Sequence, residues 1–574
     1  MDPLRSARDS APGSGFASVR GRGLLVLAVA ALVVLSGCSG ALGDLGGGGE
    51  DAPTSEPLTF ENATAEAGLN YHGSGTGVGA GNNAVYVLDY DRDGWDDLLV
   101  MGGERPVLYE NTGGEFERAA SFPNLTDWHK SASVVDYDGD GWDDLLFFRK
   151  QAPPVALHND EGTFERDDVG IGNLTYPLGA AAADYDGDGD TDLFVYQSGD
   201  WHEDKPKGHF YQSGHVPDDN GNPNFLYENT GNGTFERVDV EGIQGNRWSL
   251  AASFVDFDGD GRPDIHVAND YNNDTVYINE GDGEFSQRLL GGATARNGMS
   301  SEVADVNGDG RMDIFVTNIY IPIDKQKMGE ERYERLKRFL AFVIKSGRTK
   351  GNTLLINQGD GEFVDRAGEY GVRHGGWGWS ASLTDFDNDG RRDLIHSTQH
   401  TVKVDYDDPK WTVPQVWQRN DTGFARVNKS VHGMTHQDSR GMTTLDYDND
   451  GDRDIVLSTY EGPTVLYENT VDGGAAVQFE VVDGTGATAL GANVTVTAGG
   501  EEEAVVRQTD QSDFLSQESR ALHIGVGDAE TATLHVAWPD GTQETFEVDA
   551  DTRYRVSPDG VEQVANLTRA DESD

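Results

Sequence analysis

Carboxylates at alternate positions around a glycine recur seven times in this chain, and such sets suit hard divalent cations. The pattern Asp-x-Asp/Asn-x-Asp-Gly-x-x-Asp offers side-chain oxygens from Asp89, Asp91, Asp93 and Asp97; from Asp136, Asp138, Asp140 and Asp144; and from Asp184, Asp186, Asp188 and Asp192. Further copies supply Asp256, Asp258, Asp260 and Asp264; Asp305, Asn307, Asp309 and Asp313; Asp385, Asp387, Asp389 and Asp393; and Asp446, Asp448, Asp450 and Asp454. Ca2+ takes six to eight oxygen ligands at about 2.3–2.6 Å, and a loop of this spacing gathers them, with a backbone carbonyl such as that of Trp95 and water completing the shell. The expected cofactor is therefore calcium, up to seven ions. An EF-hand is excluded: its twelfth position needs a bidentate Glu, and this chain has Val100 there. Asn307 keeps the oxygen but loses a charge, which makes the fifth site the weaker one. A solvated acidic turn would explain one such loop. It does not explain seven that all keep Asp at the ninth position.

The elements that must hold these loops read as strands. Residues 85–88 before the first loop are Val-Tyr-Val-Leu and residues 97–100 are Asp-Leu-Leu-Val, too short and too apolar for helices. Successive loops start 47, 48, 72, 49, 80 and 61 residues apart, a unit of about 48 residues with insertions, which is the length of a four-stranded propeller blade. After each loop comes a third strand ending in Asn, as in Leu108-Tyr109-Glu110-Asn111 and Val276-Tyr277-Ile278-Asn279, and then in most copies a Gly-rich turn and Phe. The seventh copy, Leu466-Tyr467-Glu468-Asn469, lacks the Phe-containing strand, while residues 60–69 read like one. The prediction is an all-β, seven-bladed β-propeller whose last blade is completed by an N-terminal strand, removing an exposed sheet edge.

Composition narrows the partners. With 44 basic and 100 acidic residues the 574-residue chain carries −56, which argues against nucleic acid. Arg outnumbers Lys, a pairing that resembles the acidic proteins of salt-loving microbes. The single cysteine, Cys38, excludes an intrachain disulfide. It ends Leu35-Ser36-Gly37-Cys38, directly after Arg20, Arg22 and an apolar run over 24–35, a signal-peptide core too short to span comfortably. The segment resembles a lipobox, so the expected mature chain is lipidated on Cys38, tethered by the Gly/Ser/Glu-rich segment 39–57 and held at the extracellular face of the cell membrane through that lipid only. Nine Asn-x-Ser/Thr sequons, among them Asn62, Asn124, Asn173 and Asn232, are plausible surface acceptors outside the cell.

These repeats resemble the FG-GAP/VCBS calcium-loop propellers related to the integrin α-subunit head, over residues 58–472. The segment that follows resembles the ASPIC/UnbV domain of cartilage-acidic-protein-like chains. Gly491-Ala492-Asn493-Val494, Leu515-Ser516-Gln517, Leu522-His523-Ile524-Gly525-Val526-Gly527 and Trp538-Pro539-Asp540-Gly541 carry that likeness. The chain departs from the family pattern at Asp540, where Ser is usual, and at Ser512-Asp513-Phe514. Alternating strands such as 493–497 and 533–537 independently predict a small β-sandwich over 473–560, leaving 561–574 as an acidic tail.

A ligand is expected on the face opposite the loops. Insertions at 197–224, 319–352 and 397–415 all join second to third strands, and 330–343 has the charge pairs of an amphipathic helix. The segments leading into the first strands on that face carry Trp128, His129, Arg247, Trp248, Trp377, Trp379 and Arg440. Aromatic faces flanked by Arg and His suit sugar rings or an extended peptide; packing between blades is the alternative for any one Trp. No Gly-x-Ser-x-Gly elbow occurs. The reading is an extracellular adhesion or binding module for a glycan or protein, with a polysaccharide-active enzyme such as a lyase as its rival.

Overall fold

The computed structural model describes residues 56–568, apart from 74–82, 103–104, 121, 126–128, 200, 203–204, 207–219, 241, 244, 291–295, 321–325, 327–328, 332, 335–349, 400–412, 436 and 461. Cys38, the lipobox, nearly all of the expected tether and most of the residues expected to form the 330–343 helix therefore lie outside the described residues. So does Trp128.

Seven sheets, each built on four antiparallel strands, follow one another in chain order, and short strands from elsewhere extend the first and the fourth. Their first strands are Ala84–Leu88, Ser131–Val135, Pro177–Ala183, Asn246–Val255, Glu302–Ala304, Gly378–Thr384 and Ser439–Leu445. Each lies beside the first strand of the next sheet, and the last returns to the first, so the strands ring a central channel. Both faces of such a strand are covered, which is why it reads as a continuous apolar run. Ala84, Tyr86 and Leu88 fill one core and Val85 and Val87 another, as the two-residue period of a strand requires. Every second strand opens on the ninth-position Asp of its loop, from Asp97–Met101 to Asp454–Thr459.

The seventh sheet is completed from the other end of the chain. Phe60–Asn62 pairs antiparallel with Val465–Asn469, with Phe60 opposite Asn469 and Asn62 opposite Tyr467. Leu58 and Phe60 are buried with Met442, Ile455 and Leu457, and the Phe60 ring meets Phe386 edge-on at 5.9 Å.

The C-terminal region forms two four-stranded sheets. One runs Leu522–Gly527, Ala475–Val481, Thr552–Ser557, Gly560–Asn566, the other Glu501–Arg507, Asn493–Ala498, Thr531–Ala537, Gln543–Asp549. Between them lie Val477, Phe479, Val494, Val496, Leu534, Val536 and Trp538, and the Trp538 indole donates to the Val482 carbonyl at 2.8 Å. The last strand carries the domain to Asn566. The boundary expected at 560 is six residues early, because a mostly exposed edge strand gives little apolar signal.

Candidate metal loops and the docked C-terminal domain

Each acidic loop is a set of carboxylates tied down by its own backbone. In the first, Asp89 accepts the N–H groups of Asp93 and Gly94 at 3.1 Å each, and Asp93 accepts that of Trp95 at 2.9 Å. Asp97 accepts from Tyr90 at 3.1 Å and from Asn111 at 2.7 Å, fastening the loop to the third strand. The ninth-position carboxylate does the same at Asp144, Asp192, Asp264, Asp313, Asp393 and Asp454. The fourth position is left-handed in all seven: Gly139, Gly187, Gly259 and Gly308 take it freely, and Arg92, Asn388 and Asn449 take it with φ near 54–57°.

The carboxylates converge. One oxygen each of Asp89, Asp91 and Asp97 lies within 4.8 Å of the others, as it does for Asp136, Asp138 and Asp140; for Asp184, Asp186 and Asp192; and for Asp256, Asp258 and Asp260. Burial, and then the neighbouring carboxylates, push acids in these loops up: Asp89 to about 7, and Asp450 to about 9. Burial, against backbone hydrogen bonds that pull the other way, raises Asp144 to about 9 and Asp192 and Asp264 to about 8. Asp91 Oδ1 and Asp448 Oδ1 are buried with no hydrogen-bond partner. Crowded oxygens, raised acids and orphaned acceptors are what a hard dication corrects, so the residues present fit calcium. The second loop has an extra member, His158, whose Nδ1 is 3.2 Å from both Asp138 and Asp144.

The recurring third-strand Asn serves the ring. Asn111 Nδ2 donates to the Tyr447 carbonyl of the seventh sheet at 2.7 Å, Asn159 to Tyr90, Asn229 to Tyr137, Asn279 to Tyr185, Asn357 to Phe257 and Asn469 to Phe386. Each sheet thus grips the second residue of the preceding loop. In the sixth sheet Trp417 stands opposite Leu394, as Tyr109 stands opposite Leu98. That register puts Arg419, not Asn420, in the gripping place, and Arg419 donates to Val306 O at 3.0 Å.

The sandwich docks on the loop side and sends a segment into the channel. Gln511–Ser512 pairs with Ala252 and Ser253, and Ser516–Gln517 runs parallel to Val85 and Tyr86. Gln517 exchanges hydrogen bonds with Val134 at 2.8 and 2.9 Å, Ser512 meets the Tyr196 hydroxyl at 2.7 Å, and Asp513 accepts from Ser301 N and Ala381 N at 3.1 and 2.9 Å. Thr443 donates to Gln517 O at 2.9 Å. These contacts touch all seven sheets. Ser512, Asp513 and Phe514, where the chain departs from the family pattern, are all buried in the channel, and Phe514 packs on Trp379 at 4.6 Å. Arginines line the docked face: Arg553 pairs with Asp96 at 2.8 Å, Arg520 with Asp143 at 2.9 Å, and Arg507 lies 3.7 Å from Asp256.

The residues expected to bind ligand are distributed differently from their grouping in the sequence. Trp248 is fully buried and edge-on to Tyr271 at 5.2 Å; Trp379 is buried and carries the Arg440 guanidinium at 4.6 Å. His129 is buried against Phe147, Trp377 packs on the core, and Arg247 is half-buried opposite Asn222. In this structure Trp248, Trp379 and His129 offer no open face for stacking, because Tyr271 packs on the first, Phe514 and Arg440 on the second and Phe147 on the third. A basic spot on the same side has no motif to announce it in the sequence. Lys150 is exposed with Nζ 4.2 Å over Tyr176, and Lys130 Nζ lies 5.4 Å over the same ring. Burial, and then Lys150, bring the Lys130 amine down to about 7.

Ring, loops and docked sandwich together define a propeller-class, all-β protein. Matches to the FG-GAP-like repeat fall on residues 89–147, 136–195, 215–267, 256–316 and 340–396, and a match to ASPIC and UnbV falls on 483–563. The chain thus carries five FG-GAP-like repeats followed by an ASPIC and UnbV domain. Among curated proteins no relative matches it. A solved Agrocybe aegerita lectin, described as recognising non-reducing terminal N-acetylglucosamine, is similar at 16% identity over 68% of this chain and 94% of its own, with a TM-score of 0.39. BBS1N in complex with ARL6DN is similar at 10% identity over 70% and 97%, with a TM-score of 0.35.

Proposed function

We propose that the protein is a calcium-stabilised, lipid-anchored binding module of the outer cell surface, whose insert-bearing face holds an extracellular glycan or protein. One observation carries the choice of face: the sandwich covers the loop side and its segment fills the channel, leaving the side from which the three insertions depart. The seven loops would hold the ions through their first, third, fifth and ninth residues, and the ions would neutralise the crowded carboxylates and stiffen the first two strands of each sheet. Lys150, exposed over the edge of this face beside Tyr176, puts positive charge there in an otherwise acidic chain, which favours a ligand bearing carboxylates. The anchor would be the lipid on Cys38, since an acidic body does not bind anionic headgroups.

The test is retention of the full chain on arrays of cell-surface glycans and proteins, scored also for released product. Retention of intact ligand, weakened by Lys150→Glu, supports the reading. Product release would favour the lyase instead, and binding that survives only through the sandwich would contradict the choice of face.

A further inference from the structure

We propose that Gln478 of the C-terminal domain supplies an additional oxygen ligand to the loop Asp446, Asp448, Asp450 and Asp454, so that the ion held there is shared between propeller and sandwich. The inference rests on the calcium reading of the loops. Gln478 lies on the strand Ala475–Val481 with its side chain fully buried, and its amide points into this loop: Nε2 is 2.6 Å from Asp446 Oδ2. Its other polar atom, Oε1, is buried with no hydrogen-bond partner, and so is Asp448 Oδ1 in the same loop.

A buried acceptor without a donor is costly, and two in one acidic cluster call for a cation. The terminal amide torsion of Gln is broad and roughly two-fold, so a half-turn exchanges oxygen for nitrogen with no other atom displaced. With a cation in the loop, Asp446 gives its oxygen to the metal and has less need of the amide donor. The amide oxygen is then the better partner, a neutral hard ligand of the kind calcium accepts from Asn and Gln side chains.

The seventh loop is singular in this respect among the described residues. At the sixth, the sandwich offers Asp385 only a backbone donor, Gly525 N at 3.1 Å. At the first and fourth it offers Arg553 and Arg507, which repel a cation. The seventh is also among the driest: Asp446 is 0% and Asp454 1% exposed, whereas Asp186, Asp188 and Asp309 are exposed. A calcium ion here would close the seam where the sandwich meets the last sheet.

The experiment compares calcium release from the full-length wild-type chain, Gln478→Met and Gln478→Glu, by stopped-flow mixing with a fluorescent chelator, and locates bound Tb3+ in wild-type crystals by anomalous scattering. Wild type should release one ion more slowly than the rest; Gln478→Met should release it at least about tenfold faster, and Gln478→Glu should keep it slow. The terbium peak should lie within coordination distance of the Gln478 side-chain oxygen. Identical release from all three proteins, or a seventh-loop peak that Gln478 does not touch, overturns the inference while leaving calcium in the other loops intact. Absence of bound ions from every loop would overturn the calcium reading itself.

Discussion

Replacing Phe60 by Ala should open the ring. The side chain is 3% exposed, lies in one core with Leu58, Met442, Ile455 and Leu457, and meets Phe386 edge-on. A buried Phe→Ala change costs about 3–5 kcal/mol in transfer and cavity terms, a large part of the roughly 5–15 kcal/mol that holds most domains folded. The position magnifies the effect, because Phe60–Asn62 is the strand paired along the edge Val465–Asn469, and an uncovered edge recruits other chains. Urea unfolding in calcium buffer should show a loss in that range, and size-exclusion chromatography should show aggregates. Glu61→Ala, an exposed neighbour on the same strand, should stay within about 0.5 kcal/mol of wild type. A Phe60→Ala protein that stays monomeric and loses less than about 1 kcal/mol would refute the clasp.

Asn279→Ala should cost about 2–4 kcal/mol in the same assay, since it strips partners from the buried Tyr185 carbonyl and the Gly281 N–H; a cost near zero would remove the inter-sheet grip. Trp248→Ala should lower the melting temperature, while the folded remainder keeps its ligand affinity, because the indole is fully buried; unchanged stability with lost affinity would restore it as a contact residue. In chelator, stability should rise as pH falls from about 9 towards 5. Asp144, Asp192 and Asp264 hold folded pKa values of about 9, 8 and 8, above the unfolded value of about 3.9, so the folded state binds more protons in that window. The gap in melting temperature between calcium-loaded and chelated protein should therefore narrow on acidification, and a gap constant from pH 8 to 6 would contradict this.

What the sequence disclosed is what lies within one repeat. The loop spacing, the strand that opens on each ninth Asp and the missing strand of the seventh sheet are local patterns, and all reappear in the structure. The third-strand Asn was visible as a recurring letter, but its partner is in the preceding sheet, as with Asn279 and Tyr185, and no periodicity links them. The sixth sheet's third strand also ends in Asn, but there Arg419, one residue earlier, reaches the equivalent carbonyl with a longer side chain. The channel segment 511–517 is short, polar and without alternation, so nothing marked it as buried. Trp248 and Trp379 illustrate a further limit: an aromatic beside Arg reads the same whether it faces a ligand or a neighbouring strand, and depth is set by how closely seven sheets approach one another.

The account turns on calcium in the loops. Elemental analysis of the purified chain, dialysed against micromolar calcium, should find several ions per molecule and at most the seven that the loops allow. A parallel melting curve after chelation should fall by about 10 °C or more, since each ion bound well above its dissociation constant adds about 2–3 kcal/mol to the folded state. A chain that carries no calcium, or that melts at the same temperature before and after its removal, would contradict the account.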